Sequence, residues 1–338
     1  MQIESKTESI SNLVYRNYRP EIMTYERLGK TNIMVSRIGL GGYNNAERGV
    51  NAHLNAKADP SAYRENLQYL VDNGVNLFDT APDYGTEEDY GLVLGKKENR
   101  NKVFIITKVS RLVKDLKTGK PFSRQEMEEE FRNTLTESLG KLRTDYVDML
   151  LLHHLNTKGD NPYHNLGYVG PDFDYFKMAY DVINELINEL INEGLVHFKG
   201  FTSHYPDTTR DAVILPGYEN ETDVAIVKYT ITRHFFQSQE PEVWESEAFP
   251  VLTQQDVGVI QMKALLSPHS PMNEKMAKIR DDARAFGRIK PFLDQGHTPP
   301  QAMIRWGLGK KAIHTCVVGM PRIHLAEEDL QAVRPSNT

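Results

Sequence analysis

Eight short apolar runs rich in β-branched residues are spaced along the chain, and longer stretches with helical periodicity separate them. The runs span residues 38–41, 75–78, 103–107, 146–152, 196–201, 224–229, 257–262 and 313–318. Several are continuously apolar rather than alternating, which is typical of strands buried on both faces. Eightfold alternation of strand and helix predicts an α/β fold, the (β/α)8 TIM barrel.

The main rival is a doubly wound parallel sheet, which would carry a G-x-G-x-x-G turn after its first strand. The first run instead leads into GLGGYNN, whose glycines do not have that spacing. No internal linker divides the chain, so we predict a single barrel domain over residues 24–338, preceded by a polar extension at residues 1–23. Two short segments flank a Gly-Lys-Thr-Asn turn within residues 24–37, which predicts an N-terminal β-hairpin.

Composition narrows the class of protein. The 338 residues carry a net charge of −6, whereas nucleic-acid-binding proteins usually present a basic face. No stretch reaches membrane-spanning length, and the N-terminus lacks the apolar core of a signal peptide. The single cysteine, Cys316, excludes a disulfide framework and any multi-cysteine metal site. These features predict a cytoplasmic protein that does not bind nucleic acid, and they leave its oligomeric state open.

Polar residues lie at the predicted carboxyl ends of the strands, where barrels of this kind hold their active sites. Asp79 and Tyr84 follow the second strand, Lys108 follows the third and His153 the fourth. An ammonium group beside a tyrosine should lower the pKa of its hydroxyl from about 10, and Asp79 would keep the lysine protonated. Such a tyrosine can donate a proton to a carbonyl oxygen that a neutral histidine orients. Because no side chain here donates hydride, this chemistry needs a nicotinamide cofactor.

A metal-dependent hydrolase that uses His153, His154, His204 and Asp79 is an alternative at the same strand ends. The first strand offers only GLGG, with no histidine pair, so the usual spacing of metal ligands is not matched. We therefore predict no metal site.

Longer motifs resemble the aldo-keto reductase family over roughly residues 24–333. The matching segments are YERLGKTNIMVSRIGLGG (25–42), FDTAPDYGTEEDYGLVLG (78–95), FIITK (104–108), DYVDMLLLHH (145–154), VHFKGFTSHY (196–205), VGVIQMKAL (257–265) and VVGMPRIHLAEEDL (317–330). The resemblance implies an NAD(P)H-dependent oxidoreductase that interconverts an aldehyde or ketone and the alcohol. The implied catalytic tetrad is Asp79, Tyr84, Lys108 and His153, with Tyr84 as the general acid/base.

The resemblance also implies NADP(H) extended across the barrel mouth without a Gly-rich dinucleotide motif, with NAD(H) as the alternative. The implied cofactor contacts are Gly41, Thr202, Ser203, Met262, Lys263, Gly319, Arg322, Glu328 and Asp329. Lys263 and Arg322 are the candidate phosphate partners because each supplies a cation.

Several of these positions differ from the family pattern. Thr202-Ser203 stands where Ser-Asn is usual, Ile226 replaces a glutamine, Met262-Lys263 replaces an aromatic, Asp329 replaces an asparagine and Leu325 replaces a basic residue. The differences favour keeping a second hypothesis, a cofactor-sensing or partner-binding barrel with little turnover.

Two further expectations concern an iron–sulfur cluster and the walls of the pocket. GFTSHYP and GVIQMKAL are most similar to a branch in which some members carry a C-terminal iron–sulfur segment, and a chain with one cysteine cannot hold that cluster. The pocket walls are predicted in loops 43–60, 153–173 and 263–275. These loops contain the aromatic residues Tyr43, Tyr163, Tyr168 and Phe173.

Overall fold

The computed structural model describes residues 14–43, 60–109, 122–155, 173–233 and 239–335. Eight parallel strands close into a barrel in the order β10-β3-β4-β5-β6-β7-β8-β9, and β1 pairs with β2 in an antiparallel hairpin. The strands are β1 Tyr25–Arg27, β2 Met34–Ser36, β3 Ile38–Gly41, β4 Leu77–Asp79, β5 Phe104–Val109, β6 Val147–Leu155, β7 Val196–Ser203, β8 Val224–Lys228, β9 Gly258–Met262 and β10 Thr315–Val318. The predicted barrel and hairpin are therefore confirmed.

Helices follow the barrel strands along the chain. They are α1 Pro60–Asp72, α2 Glu87–Val93, α3 Lys97–Arg100, α4 Arg124–Leu142, α5 Phe173–Asn192, α6 Pro206–Val213, α7 Pro241–Val243, α8 Phe249–Gln254, α9 Met272–Asp281, α10 Ala283–Leu293, α11 Pro299–Leu308 and α12 Ile323–Leu330. Short 3₁₀ helices cover Gly29–Thr31 and Pro82–Tyr84, and a π-helical segment at Trp244–Ala248 joins α7 to α8. None of the helices in the described ranges is long and apolar enough to cross a membrane.

Three strands extend further than the apolar runs predict. β5, β6 and β7 continue to Val109, Leu155 and Ser203, past the last apolar residue of each predicted run. The strand pairing continues there, with Lys108 opposite Leu151 and Ser203 opposite Val227. Because backbone pairing does not depend on side-chain polarity, polar residues at the barrel mouth lie on rigid strands rather than in loops.

The barrel interior is filled by apolar side chains, so the barrel is packed below its mouth. The strands contribute Leu77, Phe104, Ile106, Met149, Leu151, Val224, Ile226, Ile260 and Val317. Leu28, Ile33 and Val35 from the hairpin region join this cluster. Leu28 also packs against Gly258, where β9 begins, so the hairpin covers the amino-terminal end of the barrel. A ligand can thus enter from the carboxyl end.

Gly200 in β7 lies where two barrel strands approach closely. A Cβ atom at this position would stand 1.8 Å from the carbonyl oxygen of Val224 in β8. We expect Gly200→Ala to lower the free energy of unfolding by about 1–3 kcal/mol, because a close-packed backbone must move. Denaturant unfolding measures this loss. Gly287→Ala in α10 is the matched control: its Cβ would contact nothing, and about 0.5–1 kcal/mol of stabilisation is expected. Equal losses in the two variants would contradict the steric argument.

Candidate active site

A tight turn at the end of β4 brings Asp79 and Tyr84 to the same place. β4 ends at Asp79, and the 3₁₀ helix Pro82–Tyr84 begins three residues later. Gly85 ends this helix with a left-handed φ of 75°, a conformation that glycine adopts without strain. The backbone N–H of Tyr84 donates to the carbonyl of Ala81 at 3.0 Å, which closes the turn. Both side chains consequently face one cavity at the barrel mouth.

Lys108 in β5 is held from two sides by the end of the neighbouring strand. Its Nζ lies 2.5 Å from Oδ1 of Asp79 and 2.7 Å from the carbonyl oxygen of Thr80. Burial raises the pKa of Asp79, and the ammonium of Lys108 opposes that rise. The same Nζ lies 4.5 Å from the centroid of the Tyr84 ring, so the cation also interacts with the ring face.

His153 is aimed at Tyr84 by an irregularity in β6. Leu152 pairs with Phe201 and Leu155 pairs with Ser203, so β6 contains one more residue than β7 over this interval. Such a bulge turns side chains away from their regular alternation. His153 lies within it, and its Nε2 is 3.2 Å from the Tyr84 hydroxyl. The two rings meet edge to face, with centroids 5.5 Å apart.

The electrostatic setting keeps Tyr84 protonated. Desolvation raises the pKa of Tyr84 well above its ordinary value, and the carboxylates of Asp79 and Asp83 act in the same direction. The expected lowering by Lys108 is therefore not found in the free protein. The reason is geometric: Lys108 faces the ring rather than the hydroxyl, and its hydrogen bonds go to Asp79 and Thr80.

The cavity has a volume of about 590 Å³, and the four predicted tetrad residues line it. Seven of the predicted cofactor contacts line it as well: Gly41, Thr202, Met262, Lys263, Gly319, Glu328 and Asp329. Most of the remaining wall is apolar, formed by residues such as Leu265, Leu266, Pro268, Met272 and Pro300. Of the predicted pocket walls, loop 263–275 and Tyr43 contribute to the cavity. Residues 44–59 and 156–172, with Tyr163 and Tyr168, lie outside the described residues, as does the Phe173 side chain.

Two predicted cofactor contacts are not part of the cavity wall. Ser203 is fully buried, and its hydroxyl oxygen lies 3.3 Å from the carbonyl oxygen of Leu155 and 3.2 Å from that of Tyr205, which joins β6 to the segment after β7. Arg322 stands just before α12, and its Nη1 is buried with no hydrogen-bond partner within the described part of the chain.

A group of lysines gives one side of the mouth a positive character. Lys263 and Lys275 line the cavity, and Lys228 ends β8 nearby. Desolvation lowers the pKa of Lys263 to about 8. Burial lowers the pKa of Lys228 and of Lys275 to about 8, and the charge of Lys263 adds to both shifts. Asp329 partly opposes the shift of Lys275, and buried ammonium groups whose charge is disfavoured by desolvation favour an anionic ligand.

The structure adds two residues that the sequence patterns did not indicate. Asp83 looks like an ordinary turn former in the sequence, but its side chain is only 6% exposed and borders the cavity beside His153. Lys275 belongs to a strongly charged helix whose sequence carries no sign that one lysine is buried. Within the described ranges no group of three or more metal-ligating side chains could hold a metal ion, so the proposed metal site of the hydrolase hypothesis is not formed there. The His154 side chain lies outside those ranges.

A family model described as the aldo/keto reductase family matches residues 37–336. The chain belongs to the aldo/keto reductase family. Among curated relatives, the Bacillus subtilis uncharacterized oxidoreductase YrpG is 32% identical over 144 residues, covering 40% of this chain and 41% of that protein. Human aldo-keto reductase family 1 member A1 is 23% identical over 274 residues, covering 76% of this chain and 73% of that protein. The chain spans about two-fifths of the length of the first relatives that it matches.

Solved structures of aldo-keto reductases share this barrel. The holo form of AKR11C1 from Bacillus halodurans superposes with a TM-score of 0.61 at 20% identity, covering 92% of this chain and 90% of that protein. The family is the one that the sequence motifs predicted. Six of the residues that differ from the family pattern line the cavity, and Ser203 does not; the six are Thr202, Ile226, Met262, Lys263, Leu325 and Asp329.

Proposed function

We propose that this protein interconverts an aldehyde or ketone and the corresponding alcohol with NAD(P)H, and that Tyr84 is the general acid/base. One observation carries the proposal: side chains from β4, β5 and β6 converge so that the Tyr84 hydroxyl lies 3.2 Å from Nε2 of His153, beside the Lys108–Asp79 pair. In reduction, Tyr84 donates its proton to the carbonyl oxygen, and His153 orients that oxygen by hydrogen bonding. Bound NAD(P)H would supply the hydride that the carbonyl carbon accepts.

Lys108 and Asp79 support this proton transfer electrostatically. The raised pKa keeps the Tyr84 proton in place at neutral pH, so the proton is available to the substrate. When Tyr84 gives it up, the negative charge spreads into a ring whose centroid lies 4.5 Å from the Lys108 ammonium, and this cation would offset part of the cost of burying that charge. Asp79 fixes the ammonium in position, and the surrounding protein excludes bulk water from the pair.

The cation distribution fits a phosphorylated dinucleotide, and we propose NADP(H). Lys263 and Lys275 present ammonium groups to the cavity, and Arg322 has a buried guanidinium nitrogen that no described group satisfies. A buried guanidinium nitrogen such as that of Arg322 requires an anion or another hydrogen-bond acceptor. Gly41, Thr202 and Met262 line the cavity with the tetrad, where they would contact the nicotinamide. Gly319, Glu328 and Asp329 would contact the remainder of the dinucleotide.

The rest of the cavity suits a small carbonyl compound. Its apolar wall, formed by residues such as Leu265, Leu266 and Met272, would cover the organic part of a substrate. The single cysteine, Cys316, is a buried free thiol, and we propose the cytoplasm as the site of action.

Removing the Lys263 cation tests the cofactor assignment. Loss of a charge-assisted contact of about 1.5–3 kcal/mol should weaken NADPH binding by about 10- to 100-fold in Lys263→Met. Fluorescence titration with NADPH and NADH measures the affinities. Lys290→Met, which removes an exposed lysine paired with Asp294 in α10, should bind like the parent. A larger loss for NADPH than for NADH would place Lys263 at the 2′-phosphate, and equal losses would place it at the pyrophosphate. Unchanged affinity for both would contradict the assignment.

The pH dependence of binding provides an independent check. The pKa of Lys263 in the free protein is about 8, below the ordinary lysine value, so its charge is present below pH 8 and is lost above it. An anion favours the charged form, so binding takes up a proton above pH 8 and NADPH affinity should fall as pH rises further. Lys228 and Lys275 titrate in the same window. Lys263→Met should therefore reduce the dependence without abolishing it.

A second candidate function is a nucleotide-binding barrel with little turnover. The observation that favours it is Ile226, which lines the cavity and cannot hydrogen-bond a carboxamide as a glutamine can. Tight NADPH binding without turnover on a broad panel of aldehydes and ketones would support this candidate. Ready turnover would exclude it.

A further inference from the structure

Lys275 is a cation on the buried side of α9. The residue is 6% exposed and lines the cavity at the barrel mouth. Met276 and Ile279 are buried in the same helix, whereas Lys278, three residues after Lys275, is exposed. Within the described part of the chain, the Lys275 ammonium has no hydrogen-bond or ion-pair partner. Burying an ammonium without such a partner is costly, so a ligand in the cavity is expected to supply the acceptor.

One face of α12 forms another part of the cavity wall. Leu325, Glu328 and Asp329 have the i, i+3, i+4 spacing that places residues on one side of a helix, and all three line the cavity. Burial and the charge of Glu328 raise the pKa of Asp329 well above its ordinary value, and Lys275 is the cation that opposes this rise. The face itself carries no cation. A phosphate held against it would therefore depend on Lys275.

The two cavity lysines, Lys263 and Lys275, lie at different places relative to the tetrad. Nζ of Lys263 is 5.5 Å from the centroid of the Tyr43 ring, and that centroid is 5.2 Å from the centroid of the Tyr84 ring. Only one aromatic ring thus separates Lys263 from the proposed proton donor. Burial lowers the pKa of Lys275, and the charges that further affect it are those of Asp329 and Lys263, with no tetrad group among them. Lys275 consequently lies beyond Lys263 as seen from Tyr84.

The order of these groups matches the order of the parts of a dinucleotide. The carbonyl group that takes the proton of Tyr84 also takes hydride from the nicotinamide, so the nicotinamide end would lie beside Tyr84. The pyrophosphate follows along the molecule, and the adenosine, with the 2′-phosphate that only NADP(H) carries, is farthest away. Lys263 would then be near the pyrophosphate, and Lys275 near the 2′-phosphate.

We infer that Lys275 is the residue by which this chain distinguishes NADP(H) from NAD(H), through an ion pair between its ammonium and the 2′-phosphate of the adenosine ribose. The inference rests on the proposed function, since it assumes a nicotinamide beside Tyr84. It assigns Lys263 to the pyrophosphate, which both cofactors carry. Removal of Lys263 should therefore weaken NADPH and NADH binding alike, whereas removal of Lys275 should weaken NADPH binding alone.

The acidic residues of α12 are compatible with a phosphate at this position. The raised pKa of Asp329 holds its carboxyl group toward the neutral form, which can donate a hydrogen bond to a phosphate oxygen. The opposite preference would arise if Glu328 accepted a hydrogen bond from the free 2′-hydroxyl of NAD(H), as acidic residues do in many dinucleotide sites. The two arrangements predict opposite orders of affinity, so the preference of the parent protein decides between them.

Two nucleotides that differ only in the 2′-phosphate test the inference without any carbonyl substrate. Isothermal titration calorimetry of the parent should show tighter binding of adenosine 2′,5′-bisphosphate than of adenosine 5′-monophosphate by about 10- to 100-fold, the effect of one charge-assisted contact. Lys275→Met removes the ammonium and keeps an unbranched side chain. This variant should bind both nucleotides with the affinity that the parent has for the monophosphate.

Three further measurements separate a lost contact from a damaged fold. Lys278→Met removes the exposed lysine of the same helix and should keep the preference of the parent. Lys275→Arg retains a cation and should restore most of the preference that Lys275→Met loses. Unfolding in urea should show Lys275→Met to be at least as stable as the parent, because the substitution removes a buried charge that has no partner.

The outcomes distinguish this inference from the proposed reaction. A parent that binds the two nucleotides equally, or a Lys275→Met variant that keeps the preference, would overturn the inference, and carbonyl reduction with NADH would still support the reaction. A preference that depends on Lys275 supports the inference even if no carbonyl compound is reduced, in which case the reaction assignment alone fails. Binding of neither nucleotide would overturn both.

Discussion

Replacing Tyr84 with phenylalanine is expected to lower kcat for carbonyl reduction by about 10²- to 10⁴-fold, the range that a positioned general acid contributes. The substitution removes only the hydroxyl that lies 3.2 Å from Nε2 of His153. The ring remains, so its contact with the Lys108 ammonium at 4.5 Å from the centroid is preserved. Steady-state kinetics on a panel of aldehydes and ketones measure the loss.

Cofactor binding should be largely retained in the same variant. We assign dinucleotide binding to cations led by Lys263 rather than to the Tyr84 hydroxyl, so the loss should appear in kcat rather than in NADPH affinity. Tyr69→Phe in α1 removes a phenol hydroxyl outside the cavity and should have parental kinetics. A Tyr84→Phe enzyme as active as the parent would exclude Tyr84 as the proton donor.

The barrel itself was predictable because its strands are buried on both faces. Burial of this kind requires continuous apolar runs, which are visible in a single sequence. The convergence of Asp79, Lys108 and His153 on one cavity was also predictable, because each follows such a run directly. The runs alone do not distinguish His153 from His154, and that choice came from the family resemblance: a bulge between Leu152 and Leu155 sets the direction of His153, and bulges leave no clear signal in the sequence.

Other parts of the site depend on distances that no local pattern encodes. The sequence places Lys108 near Tyr84, but only coordinates show that the ammonium faces the ring while the pKa of the hydroxyl rises through desolvation. Lys275 is the fourth residue of the charged helix α9 and looks like a solvated residue, yet the packing of α9 on the barrel mouth buries it. The sequence likewise gives no sign that Asp83 lies beside His153, and only the coordinates show that Oδ1 of Asp83 is 3.5 Å from Nδ1 of His153.

The opposite end of the barrel contains a second charged cluster, which bears on stability rather than catalysis. Asp148 in β6 is fully buried. Its Oδ1 lies 2.6 Å from Nη1 of Arg16, and its Oδ2 lies 2.9 Å from Nη2 of Arg100. It also accepts a hydrogen bond from the backbone N–H of Ile105 at 2.9 Å, and Nδ1 of His197 lies 3.3 Å away. This one carboxylate therefore joins the segment before the hairpin to β5, β6 and β7.

Asp148→Ala is expected to lower the free energy of unfolding by about 3–5 kcal/mol, because it leaves two buried guanidinium groups without their counter-charge. Equilibrium unfolding in urea measures the change. Glu189→Ala is the matched control, since Glu189 pairs with Arg132 on the surface and both side chains are about half exposed. Exposed pairs contribute about 0–1 kcal/mol, so this variant should unfold close to the parent.

Measuring the free energy of unfolding at low pH shows whether the contribution of Asp148 depends on its charge. Burial alone would raise the pKa of Asp148, but Arg100, His197 and Arg16 together hold it well below the usual range. A carboxyl group whose pKa is depressed by folding stabilises the protein above its unfolded pKa of about 4, and that contribution is lost as pH falls further. The stability difference between the parent and Asp148→Ala should therefore be full at pH 7 and shrink below pH 4. A difference that stays constant through this range would mean that Asp148 stabilises the barrel by packing, because a charge-dependent contribution must follow the protonation of the carboxylate.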